Sequence, residues 1–267
     1  MKDVEALHTA ARRYCIERHK YWRELYGDLQ KGREHPRSSG YTAKDLDTFP
    51  RYLVMDAIRV EIEGFVPGDF PSCEDALEML VTAIATADSA STISDEKVTK
   101  RAIEEERERA VAYLRKLGPS DLATIEALPY RRTLGQREAK ELQTRLRDEW
   151  GVTGYWYPLE EIERTDAEAF RDQHFLDEGA DGHLRRALEQ RGVEKVYALR
   201  EWEPHWEGGP ECVDCIDYGA ETFWFDNNLD WIVYVSHEGS IAVGGWLLSE
   251  LQASWPDWRD HLWTMPF

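Results

Sequence analysis

The segment ETFWFDNNLDWIVYVS, residues 221–236, carries the strongest strand signal in the chain. Two runs rich in β-branched and aromatic residues, 221–225 and 231–236, flank Asn227-Asn228, a pair that tolerates the backbone of a tight turn, so the segment predicts an antiparallel hairpin. Glu238, Gly239 and Ser240 lead to the short apolar run 241–243, which extends the hairpin into a meander. Upstream, the compact apolar run 195–202 reads as another strand, and downstream 246–253 reads as a helix.

Towards the N-terminus the pattern changes from a period of two to a period of 3.6. Val4, Leu7, Ala11, Tyr14, Cys15, Trp22, Leu25 and Leu29 recur at helical spacing and predict an amphipathic helix over 3–30. Phe49-Pro50 opens a second helix to residue 63, and Ser72-Cys73-Glu74-Asp75 has the form of a capping box before a third. A charged helix from 95 to 116 stops at Gly118-Pro119, and another over 136–150 stops at Gly151. Residues 154–158 form an aromatic strand candidate. Thr165-Asp166-Ala167-Glu168 reads as a capping box that starts a helix to about residue 176, and 182–191 reads as one more helix. The fold class is therefore α+β: an N-terminal helical bundle followed by a C-terminal α+β region with an antiparallel sheet. The expected division is a helical domain over 1–150 and an acidic, Trp-rich α+β domain over 151–267.

The 267 residues carry a net charge of −19, with 33 basic against 52 acidic side chains. Residues 1–140 hold 23 basic and 25 acidic side chains; residues 141–267 hold 10 and 27. From Glu201 onward the one basic side chain is Arg259, against thirteen acids. Such a segment repels nucleic-acid phosphates and anionic lipid, and attracts a basic protein. Charges at Lys2, Asp3 and Glu5 stand where a secretory signal needs an apolar run, and no uncharged stretch approaches the roughly 18–20 residues that span a bilayer. Four cysteines do not make a disulfide framework, so the expected compartment is cytoplasmic.

Four groups of residues carry candidate chemistry. Cys212 and Cys215, three apart, with His205 seven residues upstream, have the donor types of a zinc site, although a fourth ligand is not evident; a structural zinc is the cofactor this pattern allows. Asp214, Asp217, Glu221, Asp226 and Asp230 are acids that a sheet can bring to one face, where paired carboxylates hold a cation or share acid and base roles. Ser236, His237 and Glu238 have the ingredients of a triad, but successive residues of a strand point to opposite faces. Finally, eight of eleven tryptophans follow Glu201, mixed with acids rather than bases. Most belong to a core, but Trp202, Trp206, Trp255 and Trp258 lie in acidic or Pro-containing context and are the expected source of exposed anchors, with Asp214 and Asp217 beside them.

These observations predict a non-enzymatic interaction protein, such as an inhibitor, an immunity-type antidote or a defence-system adaptor, whose acidic C-terminal half binds a basic partner. The rival expectation is a metal-dependent hydrolase that uses the Cys pair with His205, or His237 and Glu238 with Asp226 and Asp230.

Overall fold

A computed structural model describes residues 2–31, 41–89, 97–160, 164–213 and 221–264. The chain forms two compact units, Met1–Leu128 and Pro129–Phe267. The second unit begins earlier than the composition suggests, because helix 136–150 packs on the sheet rather than with the preceding helices.

The first unit contains α1 (Lys2–Gln30), α2 (Ala43–Glu63), α3 (Cys73–Thr86), α4 (Lys97–Lys116) and the single turn α5 (Pro119–Leu122). Val54, Met55, Ile58 and Ile62 form the apolar stripe of α2 and are fully buried against α1, α3 and α4. The second helix starts eight residues before the sequence pattern places it. Thr42 caps Asp45 in a reciprocal box, and Pro50 sits inside the helix rather than at its start. Glu106 of α4 is buried among Arg18 of α1 at 2.9 Å, Arg51 of α2 at 3.1 Å and Arg109. No helix among the described residues is long and apolar enough to cross a membrane.

The second unit is built on a seven-stranded sheet in the order β1-β4-β3-β5-β6-β7-β2, antiparallel throughout. Its strands are β1 (Arg131–Thr133), β2 (Ala167–Arg171), β3 (Val196–Arg200), β4 (Trp206–Gly208), β5 (Thr222–Phe225), β6 (Trp231–Val235) and β7 (Ser240–Gly245). One face carries α6 (Gln136–Trp150), with Leu142, Leu146, Trp150 and Trp156 packed on Phe223, Ile232 and Tyr234. The other carries α7 (Asp172–Asp177), α8 (Ala180–Gln190) and α9 (Trp246–Ser254), packed on Trp224, Trp231, Val233 and Ile241. Because both faces are covered, all five residues of β6 are buried, which explains a strand that reads WIVYV rather than alternating with polar residues.

Two sequence expectations are corrected. Residues 154–158 form turns, and Trp156 is buried while donating its indole N–H to the Trp150 carbonyl at 3.0 Å. The segment from 165 is not a helix start: Ala167–Arg171 is the edge strand β2, paired along its length with β7. Phe170 of β2 points into the α7–α9 core and Ala169 into the α6 core, so strand alternation serves two cores where a helix would serve one. At the β7–α9 junction Gly245 has φ +70°, and an added Cβ would meet the Asp230 carbonyl at 2.1 Å; only glycine fits.

Candidate functional site at one end of the sheet

The register sorts the candidate residues to opposite ends of the sheet. Arg200 ends β3 opposite Thr222, which begins β5; Thr222 pairs with Val235, which ends β6, and Val235 pairs with Ile241 of β7. The loop 201–205, Glu221 and the turn 236–239 therefore leave the sheet together. Asp226 and Asp230 leave it at the other end, with the five residues of β6, about 17 Å of strand, between them and His237.

At the first end, Glu221 is fully buried and places Oε1 2.6 Å from His237 Nδ1 and 3.4 Å from the His237 amide, which donates to it. Burial pushes the Glu221 carboxyl above the usual carboxylate range, against the opposing pull of Tyr234 and the His237 amide. Oε2 has no hydrogen-bond partner among the described residues. Tyr234, fully buried and stacked on Phe223 at 4.6 Å, faces the same carboxyl, and burial holds its phenol far above its ordinary value. The imidazole itself is about half exposed, and its Nε2 lies 3.3 Å from Glu238 Oε1. His237 and Glu238 meet because they lie in a turn rather than along a strand. Ser236 does not join them: its hydroxyl pairs with that of Ser240 at 2.7 Å, closing the turn. The end thus holds an oriented imidazole between two carboxylates, with the neighbouring serine hydroxyls committed to each other.

The loop after β3 is the second feature of this end. Trp202 is 55% exposed and stands between Glu201 and Glu203, both exposed and neither paired with a cation among the described residues. The expectation of exposed anchors does not extend to the other three tryptophans. Trp206 packs edge-on against Trp224 at 4.7 Å beneath the Arg131 guanidinium, Trp255 stacks on His261 at 4.9 Å and touches Phe170, and Trp258 meets Phe170 at 6.4 Å. All three are buried, since the sheet faces need large side chains to fill the space beneath α7–α9. Asp214 and Asp217 lie outside the described residues.

The remaining candidates have local partners. His205 is buried, and its Nδ1 accepts the Arg200 amide at 3.1 Å while Nε2 faces the Gln143 side-chain amide at 3.5 Å. Burial pushes its pKa below the ordinary histidine value. The Cys212 thiol donates to the Tyr130 carbonyl at 3.5 Å, and Cys215 lies outside the described residues. Among the described residues no three His, Cys, Asp or Glu side chains converge closely enough to hold a metal ion. Asp226 accepts the Asn228 and Leu229 amides at 2.8 and 3.2 Å and so shapes the hairpin turn, and Asp230 accepts the Trp246 indole N–H at 2.9 Å. These two acids do not reach His237, which corrects the expectation that they form a common catalytic set.

Sequence reasoning missed Glu221 as the partner of His237, and Tyr234 as the third member. The signal was present in the hairpin register: pairing Thr222 with Val235 leaves Glu221 and the 236–237 step adjacent at the open end. No protein-family model, curated protein or solved structure matches the chain.

Proposed function

We propose that the protein is a non-enzymatic interaction protein, of the inhibitor, immunity-type antidote or defence-adaptor kind, that binds a basic protein through the second unit. The observation that carries this reading is the Glu201-Trp202-Glu203 loop: an exposed indole between two exposed carboxylates, in a segment with one basic residue against thirteen acids. Unpaired carboxylates steer a basic partner during encounter, and a desolvated indole slows its departure. The same charge disfavours nucleic acid. A salt series tests the electrostatic part. Capture of the basic partner by the full-length chain should fall steeply between low salt and 1 M, where the screening length is about 3 Å; capture that is indifferent to salt contradicts the reading.

A second reading, hydrolysis, draws on one observation, the carboxylate-oriented imidazole of His237. In its metal-dependent form it requires stoichiometric metal in protein purified without chelator, and turnover lost in His237→Ala at an unchanged melting temperature. Metal-free protein would remove that form of the reading.

A further inference from the structure

Helix α6 presents Lys140, Thr144 and Arg147 on one stripe, with successive spacings of four and three residues. The stripe forms a wall of a cavity of about 430 Å³ whose apolar floor includes Leu199 and Phe223. That volume is within the roughly 300–1,000 Å³ range of small-molecule sites. The charge of the lining is the reverse of its surroundings. From residue 129 onward the chain has 14 basic and 28 acidic side chains, whereas Lys140, Arg147 and Arg200 line the cavity against one acid, Glu201. The Lys140 ammonium has no ion-pair partner among the described residues, and the carboxylate nearest Arg147, that of neighbouring Asp148, is 3.9 Å away with both side chains more than half exposed. An exposed pair at that distance contributes little and leaves the guanidinium available. The Thr144 hydroxyl is committed to the Lys140 carbonyl at 2.9 Å and the Gln143 amide faces His205 at 3.5 Å, so Lys140 and Arg147 are the charged donors the helix wall offers.

We propose that this cavity binds a small organic anion, with an apolar body over Leu199 and Phe223 and a carboxylate or phosphate head bracketed by Lys140 and Arg147. The cavity adjoins the Trp202 loop through Glu201, which lines it, but the two helix cations and the apolar floor that hold the ligand lie outside that loop, so the proposal stands whether or not a basic protein binds the loop. A cation pair inside an acidic unit concentrates positive potential where an anion is otherwise repelled, so the head group selects the ligand and the floor retains it.

Fluorescence titration of the full-length chain with anilinonaphthalene sulfonate, and with phenylnaphthylamine as the same apolar body lacking the sulfonate, tests the assignment. The sulfonate should bind about tenfold more tightly than the neutral probe, and Lys140→Ala/Arg147→Ala should weaken the sulfonate about tenfold while leaving the neutral probe unchanged. Thr144→Trp, which narrows the cavity without removing a charge, should weaken both probes. Octanoate or octyl phosphate should displace the sulfonate, the more effective of the two identifying the head group, and octanol should not. Equal binding of the two probes, sulfonate binding retained in a double variant of unchanged melting temperature, or displacement by octanol as effective as by octanoate would each overturn the proposal.

Discussion

Glu207 lies in β4, between β1 and β3, with its buried carboxylate held by the Tyr130 hydroxyl at 2.7 Å, Arg132 at 2.9 Å and Lys195 at 3.1 Å. Burial by itself raises its pKa, but the three donors outweigh burial and hold it below the ordinary 4.5. A depressed folded-state pKa contributes stability that is complete above the unfolded value and lost as pH falls through the folded one. The stability difference between wild type and Glu207→Gln should therefore narrow as pH drops below about 4.5, read from urea midpoints; a constant difference contradicts the assignment. Glu221 has the opposite sign. Burial raises its carboxyl, helped by the Glu201 charge and outweighing the opposing pull of Tyr234 and His237, so its contribution is complete below the unfolded value and declines as pH rises through the folded one. Relative to Glu221→Gln, wild type should lose stability as pH rises above about 4.5, and a gain instead would mean that His237 compensates the buried charge fully.

At the scale of elements, two changes separate the units. Glu106 joins α4 to α1 and α2 through buried arginine contacts, and Glu106→Ala leaves those guanidinium groups without their shared acceptor. Because Arg51 keeps Asp47 and Glu105 and Arg18 is partly exposed, the expected loss is about 1.5–3 kcal/mol, measured as a drop in the helical unfolding midpoint. In the sheet, Phe170→Ala removes the ring that touches Phe175, Trp255 and Trp258, and should cost about 3–5 kcal/mol. A cost below about 1 kcal/mol for either change would show that the contact is solvated rather than structural.

These elements also show what the sequence makes legible. The hairpin announces itself, because Asn227-Asn228 separates two apolar runs and both strands are long enough to show their character. The long helices of the first unit are read from spacing alone, since each buries one stripe. β1 and β4, three residues each, are too short to show any period; β4 pairs with strands on both sides, and Arg132 of β1 grips Glu207 of β4. β2 is hidden by chemistry that imitates a helix start: Thr165 and Glu168 have capping spacing, but the open edge of β7 offers five paired residues to an extended chain and prevails. The same limit applies to the site. Trp202 and Trp206 look alike in sequence, four residues apart in acidic context, and only the pairing of Trp206 with β3 turns one into core and leaves the other outside.

For the whole molecule, the acidity that marks the C-terminal segment divides into two populations. Glu207, Glu221, Asp226 and Asp230 are committed to the sheet and its turns, so they contribute to folding rather than to recognition. Glu201 and Glu203 are exposed, have no cation of their own among the described residues, and flank the exposed indole. The proposed binding of a basic partner lies there, and its sharpest test compares dissociation of that partner from wild type, Trp202→Ala and Glu201→Lys/Glu203→Lys in the full chain. Trp202→Ala should raise the dissociation rate by about tenfold or more with the salt dependence intact, and the double charge reversal should slow association, with both variants melting as wild type does. Unchanged association and dissociation in both variants would contradict a binding role for this loop.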